Sequence, residues 1–399
     1  MNQALEFYRS PAKYLAVRGA TSTRLGSRFA GALAGNVAPL RLVTRQGPSH
    51  PGPGWVRIRP LLSGICGSDL ALLTGRSSPY LGPLVSLPFV PGHEIVAETV
   101  DEAPGLPKGS RVVVDPVLSC AARELPPCAQ CRSQRHSRCD HITSGSIASG
   151  LQTGFCSDTG GGWSHSMTAH PSQLHAIPDS LDDRVAVLVE PLACAIHSVR
   201  RTHIPDGAAV LIVGAGTVGL LTLLALREFS TAGPVYVIAK HEHQRERAKT
   251  LGATEVLGPK QPARALRSAT SGFLESPEFG SEYLLGGVDV AFECTGSASA
   301  LDSALRMVRA GGTVVLSGMP SGSVDLTPVW FRELRLAGSY ASDGPALDFA
   351  ESIDVAARAP LSGYVDAVYP LSRWRDALGH AASSGRLGTV KVAFDPTRD

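Results

Sequence analysis

Two patterns of apolar spacing divide the chain. Up to about Ile177, apolar residues fall in short β-rich runs broken by Gly and Pro. Val56–Pro60, Ile95–Val100 and Arg111–Val114 are predicted strands of this kind. Ser119 to Thr143 has no periodicity and is predicted to be an irregular lobe, and Asp158–Gly162 a glycine-rich turn. From about Leu192 to Ala341 strand and helix alternate. Ala209–Val213 is a continuous apolar run, as expected of a strand buried on both faces. A helix bearing Leu220, Leu221, Leu224 and Leu226 follows, then a strand at Val235–Ala239 and a helix stopped by Gly252. Val288–Phe292 and Gly312–Leu316 are further strands around a helix at Ala298–Arg309. This order predicts an α/β fold with a doubly wound parallel sheet. The tail predicts helices near 346–357 and 372–383, then a strand within Thr389–Phe394. A last strand beyond the sheet domain implies a return to the first domain. Residues 1–191 and 342–399 would form one discontinuous domain, around a second at 192–341.

Composition narrows the class. The 399 residues suffice for two domains, and a formal net charge of +2 points to neither nucleic acid nor membrane. No apolar run is long enough to span a bilayer, and no secretory signal is evident, so a cytoplasmic location is expected. One stretch is anomalous. From Phe7 to Ser68 there is no Asp or Glu, yet there are nine cations: Arg9, Lys13, Arg18, Arg24, Arg28, Arg41, Arg45, Arg57 and Arg59. A docking surface for an anion is one reading. A solvated face is favoured, because the cations are spread rather than clustered.

Gly214-Ala215-Gly216-Thr217-Val218-Gly219 follows a strong strand and opens a helix, the context that gives a dinucleotide fingerprint weight. Its glycines allow the tight turn, backbone approach to a pyrophosphate, and close helix–strand packing. The ribose-binding acid of NAD sites is expected at the end of the second strand. Here that position is Ala239, followed by Lys240-His241-Glu242-His243-Gln244-Arg245. A small residue followed by cations suits the 2′-phosphate of NADP. NADP(H) is therefore expected over NAD(H), with Lys240 and Arg245 as contacts.

Three other stretches offer metal ligands: Gly64-Ile65-Cys66-Gly67-Ser68-Asp69, Pro91-Gly92-His93-Glu94 and Glu190-Pro191-Leu192. Alone, Cys66 is as easily a small buried hydrophobe, and His93 a turn cap. Beside a dinucleotide domain they read as ligands of a zinc with one open position, Cys66, His93 and Glu190 being the set. Glu94 either alternates as a ligand or supports one from behind, and Asp69 orients the imidazole. Cys120, Cys128, Cys131 and Cys139 read as a second, structural zinc site, with two disulfides or a cysteine-rich loop without metal as the alternatives. Two zinc ions per chain are expected.

These motifs together resemble the zinc-dependent medium-chain dehydrogenases, the family of alcohol, sorbitol, glucose and threonine dehydrogenases. The likeness runs from about Gly52 to Phe394, and also rests on Glu293-Cys294-Thr295-Gly296 and Gly311–Gly318. Glu-Pro-Leu looks like the polyol and threonine branch. The resemblance implies a GroES-like catalytic domain plus a Rossmann domain, with the active site between them. It implies that Cys66, His93, Glu190 and Glu94 surround the catalytic zinc. It also implies that Ser68 relays the substrate proton, and that Thr295, Gly296, Ser317 and Met319 line the cofactor. Homodimers or homotetramers are usual in the family. Three departures stand out. Ala71 replaces a proton-relaying histidine. Leu125 replaces the first cysteine of the lobe pattern, so that Cys120 must reach in from across Ala121–Pro127. Residues 20–39 look inserted.

The expected activity is interconversion of an alcohol and a ketone or aldehyde by hydride transfer with NADP(H). An NADPH-dependent reductase of conjugated C=C bonds is the rival enzyme. A catalytically silent NADPH-binding protein is the rival outside catalysis. The particular alcohol is not readable from the sequence.

Overall fold

The computed structural model describes residues 2–22, 30–320, 322–343 and 348–398. Arg24 and Arg28 lie outside the described residues, as do the first two positions of the helix expected at 346–357. The chain divides into two compact units, Met1–Glu190 with Ser342–Asp399, and Pro191–Ala341.

The first unit begins with strands β1 (Asn2–Phe7), β2 (Leu40–Arg45), β3 (Val56–Gly64), β4 (Ile95–Thr99), β5 (Arg111–Val114), β6 (Met167–Ala169) and β7 (Leu174–Ala176). The second unit holds β8 (Val210–Val213), β9 (Val235–Ile238), β10 (Glu255–Leu257), β11 (Phe273–Glu275), β12 (Tyr283–Leu285), β13 (Val288–Glu293), β14 (Val308–Leu316) and β15 (Arg335–Gly338). The first unit resumes with β16 (Val365–Tyr369) and β17 (Lys391–Phe394).

In the second unit six strands pair in the order β10-β9-β8-β13-β14-β15. All five pairings are parallel. This is the doubly wound order, and the direction of winding reverses between β8 and β13. β8 and β9 are buried at every residue, which is why they read as unbroken apolar runs. One boundary differs from the pattern. The helix expected to reach Arg309 stops at Met307, and β14 begins at Val308. Val288 pairs with Val308, the register then shifts, and Val290 pairs with Thr313. The sheet thus captures residues whose spacing suits a helix, with a bulge between.

In the first unit β16-β17-β3-β4-β5-β7 form one sheet and β6 adds to β3. β17 pairs with β3 antiparallel at Ala393–Gly64 and Phe394–Ser63, so the last strand lies against the strand that leads into Cys66. Trp163 and Phe394 meet edge to face at 5.0 Å, and Phe7 stacks on Phe89 at 5.3 Å, in the core beneath.

The segment read as an insertion is built into this unit. β1 and β2 pair antiparallel, and helices Pro11–Thr21 and Ala30–Asn36 stand between them. Gly31 lies so close to the helix Trp374–Leu387 that a Cβ there would sit 2.9 Å from Gly379 Cα. Thr21 Oγ1 donates to the Thr74 carbonyl at 2.7 Å and the Tyr14 hydroxyl to Ser77 at 3.3 Å. The small residues of Ala30–Asn36, within the inserted 20–39 segment, show no apolar stripe because they pack by backbone approach.

The basic run is acid-free in sequence but not in space. Arg41 pairs with Glu6 at 2.6 Å, Arg57 with Asp101 at 2.8 Å, and Arg59 with Glu98 at 2.8 Å. Glu6 immediately precedes the run, while Glu98 and Asp101 come from further along the chain, which fits the solvated-face reading.

Candidate metal centres and nucleotide loop

β3 ends at Gly64, and Cys66 caps the helix Gly67–Leu73. The cap places two groups together. Asp69 Oδ2 accepts the Cys66 N–H at 2.9 Å, while Asp69 Oδ1 lies 3.6 Å from His93 Nδ1. Asp69 is fully buried; it holds the Cys66 N–H and sets its charge beside the His93 ring without a hydrogen bond to it. With Nδ1 turned to Asp69, the other ring nitrogen is left to serve as ligand. Burial alone would hold the imidazole neutral, but the Asp69 charge, the Cys66 hydrogen bond and charge, and the Glu190 charge together outweigh it and raise the His93 pKa well above its ordinary value.

The ligand atoms of Cys66, His93 and Glu94 lie within 4.8 Å of one another. Glu190 stands beyond that group. It is 7 % exposed, and its charge acts on both His93 and Lys391. The structure therefore brings Glu94, rather than Glu190, into the cluster with Cys66 and His93. A thiolate, an imidazole and a carboxylate, all buried or nearly so, fit a zinc ion with an open position. Ser68 Oγ is buried beside them with no hydrogen-bond partner.

Two residues here escaped the sequence reading. Lys391, on β17, reaches Glu94 Oε1 at 2.5 Å and also contacts Oε2; it is 4 % exposed. Gly64 makes room for the pair: a Cβ there would overlap the Glu94 carboxylate and the Lys391 side chain. Nothing in the local sequence ties Lys391 to a motif about 300 residues earlier. Asp115, at the end of β5, is 3 % exposed. Burial, then the charges of Glu190, Asp348 and Asp343, push its carboxyl up to about 7 against the Val117 N–H it accepts.

The four lobe cysteines are free thiols, buried, with their sulfurs within 4.8 Å of one another. Backbone N–H groups converge on them: Cys128 to Cys120 at 3.3 Å, Cys131 to Cys128 at 3.5 Å and His141 to Cys139 at 3.4 Å. Burial would raise the Cys128 thiol, but N–H donors from Asp140 and Cys131 outweigh it and bring it down to about 7. Four sulfurs so arranged fit a tetrahedral zinc. Leu125, at the position where a cysteine was expected, packs against the cluster. Arg123 holds the lobe's shape. Fully buried, it donates to the carbonyls of Leu118, Ser144, Ile147, Ala148 and Gly150.

In the second unit Gly214 turns with φ +104° after β8, and Gly216 caps the helix Thr217–Phe229, on which Val218 and Gly219 follow. Gly214 packs against Thr295, and Gly296 against the Met319 backbone. Ser317 Oγ donates to Ser198 at 3.2 Å. Glu293 accepts Thr295 N–H at 2.7 Å and Gly296 N–H at 2.9 Å, holding that turn. The turns after β8, β13 and β14 thus meet at the switch point. Ala239 is buried at the end of β9. Lys240 is exposed and makes no ion pair among the described residues, and Arg245 is half-buried on the following helix.

Comparison with known proteins agrees. Residues 52–179 match the alcohol dehydrogenase GroES-like domain, and residues 217–358 match the zinc-binding dehydrogenase family. The chain is 31 % identical over 304 residues to an L-idonate 5-dehydrogenase of Vitis vinifera, covering 72 % of this chain and 74 % of that one. It is 31 % identical over 296 residues to a sorbitol dehydrogenase of Arabidopsis thaliana, with the same coverage of 72 % and 74 %. A putative zinc-binding dehydrogenase from Sinorhizobium meliloti, solved bound to NADP, superposes with a TM-score of 0.72 at 26 % identity over 99 % of both chains. The turn, the capped cysteine and the two matched domains therefore have one explanation: the chain belongs to the zinc-dependent medium-chain dehydrogenase family, whose members are alcohol and polyol dehydrogenases.

Proposed function

We propose that this chain oxidises a secondary alcohol of polyol type, or reduces the matching ketone, with NADP(H) preferred over NAD(H). The observation that carries the reading is the convergence of Cys66, His93 and Glu94 beside a buried, unpartnered Ser68 hydroxyl. Cys66, His93 and Glu94 would hold the zinc, with Glu190, whose charge reaches His93, outside that set. Bound there, zinc and a nicotinamide supply Lewis acidity and a hydride acceptor. The chain's own residues do the rest. Asp69 fixes the His93 ring. Ser68 Oγ would take a hydrogen bond from the substrate's hydroxyl, and Lys391 holds the charge of Glu94. Gly214 to Gly219 and the Glu293-braced turn receive the dinucleotide, with Lys240 and Arg245 against the 2′-phosphate.

The same reading places a second zinc on Cys120, Cys128, Cys131 and Cys139. It also supports a homo-oligomer. β15 ends the sheet of the second unit, and exposed Trp330 and Phe331 stand just before it. The test is zinc content per chain together with turnover of a polyol and ketone panel. Two zinc ions and NADP⁺-dependent oxidation are expected. NADPH consumption with enones alone would put the C=C reductase reading first, and cofactor binding without any turnover the silent-binder reading.

A further inference from the structure

The cysteine lobe holds a fifth donor. His141 lies two residues past Cys139, and its Nδ1 is 3.3 Å from Cys120 Sγ. Its own backbone N–H points to Cys139 Sγ at 3.4 Å. The ring is half-buried, at the margin of a cluster whose four sulfurs are all under a tenth exposed. It contacts Cys120, the one sulfur that comes from outside the compact stretch Cys128–Cys139. The other three are fixed by that stretch, with Cys128 capping the short helix Ala129–Arg132 and Cys131 within it. Cys120 arrives from the far side of Leu125 and also lies 3.5 Å from Cys139 Sγ.

We propose that His141 is a reserve ligand of the lobe, able to close a zinc site of three cysteines and one histidine when the Cys120 sulfur is removed or capped. The inference rests on reading the four cysteines as a zinc site. His141 is not one of the four inner donors; it stands directly behind one of them. With Cys120 in place, its Nδ1–H donates to the thiolate and relieves part of the negative charge of four sulfurs on one ion. Taking the Cys120 sulfur away opens a vertex beside Nδ1, and a side chain of this exposure can turn into it. Four thiolates, or three thiolates and an imidazole, are both ordinary tetrahedral zinc sets, so the ion loses no coordination number. No imidazole touches Cys128 or Cys131 among the described residues, so the same rescue is not open to those positions.

The test counts zinc per chain in the full-length protein and in Cys120→Ala, Cys128→Ala, His141→Ala and Cys120→Ala/His141→Ala. Two zinc ions are expected in the wild type, in Cys120→Ala and in His141→Ala. One is expected in Cys128→Ala and in the double variant. Cobalt loaded into the lobe should show sulfur-to-metal charge-transfer absorption in Cys120→Ala at about three-quarters of the wild-type intensity, for three thiolates in place of four. Loss of one zinc from Cys120→Ala, to the level of the double variant, would overturn the reserve-ligand role and leave the four-cysteine site standing. So would failure of Cys120→Ala to fold, since a lobe closed by His141 keeps its metal and its shape. A wild-type protein whose lobe binds neither zinc nor cobalt would remove the site itself.

Discussion

Lys391 Nζ is 2.5 Å from Glu94 Oε1, and neither side chain is more than 4 % exposed. The pair sets a buried ammonium against the carboxylate beside Cys66 and His93. Burial alone would depress the lysine; the charge and hydrogen bond of Glu94, with the charges of Cys66 and Glu190, together outweigh it and raise its pKa. Lys391→Met strands a buried carboxylate, and breaking such a pair costs roughly 3–5 kcal/mol. A bound cation would take over the counter-charge. The expected result is a large drop in melting temperature for the metal-free variant and a much smaller one with zinc, read by thermal melts with and without chelator. Equal drops would separate Glu94 from the metal.

Cys66→Ala removes one of three donors clustered in the first unit and leaves the dinucleotide loop untouched. Alcohol oxidation should vanish and one zinc per chain should be lost, while NADPH still quenches or enhances fluorescence with its original affinity. Retained turnover would place the chemistry elsewhere.

Lys240 is an exposed cation after a buried Ala239, where an acid would serve NAD. Lys240→Ala should weaken NADPH by tenfold or more, on the order of the 1.5–3 kcal/mol of a hydrogen bond to a charged group, and leave NADH nearly unchanged. Titration of both cofactors checks this, and an equal loss for both would refute the phosphate contact.

Asp115 titrates near 7 in the folded chain because burial disfavours its charge, against about 3.9 when unfolded. Between these values the folded state holds a proton the unfolded state has released. Stability therefore falls as pH rises from about 4 to about 7, and this contribution is flat above that. Asn at this position keeps the acceptor for the Val117 N–H and has no proton to lose. The melting temperature of Asp115→Asn, relative to wild type, should rise from pH 5 to pH 8. A constant difference would mean the carboxyl titrates normally.

Gly31 touches Gly379 across two helices, whereas nothing lies within 4 Å of a Cβ built on Gly19. Gly31→Val should destabilise the fold by roughly 1–3 kcal/mol through overpacking. Gly19→Ala should stabilise it by roughly 0.5–1 kcal/mol. Denaturant midpoints decide, and a neutral Gly31→Val would mean the inserted helices do not pack tightly there.

What could be read in advance followed local physics. Buried parallel strands show as unbroken apolar runs, and the Gly214 turn shows because a left-handed residue and a close helix demand glycine. The cap at Cys66 and the Cys128–Cys131 pair are local too. Lys391 and Asp115 were hidden because their partners are distant in sequence and meet them only in the folded sheet. The helix Ala30–Asn36 was hidden because its small residues pack without an apolar stripe. His141 was hidden in a lobe without periodicity.

The pairing of β17 with β3 has a consequence for the order in which the protein is made. Gly64, Cys66, His93 and Glu94 leave the ribosome early, but Lys391 follows only after all of Pro191–Ala341 has been synthesised. Until then the Glu94 carboxylate has no ammonium beside it, and the edge of β3 that receives β17 is open. The nascent amino-terminal unit must wait for its last strand before this pocket is complete. Early capture of a metal ion by Cys66, His93 and Glu94 would shield that charge during the wait.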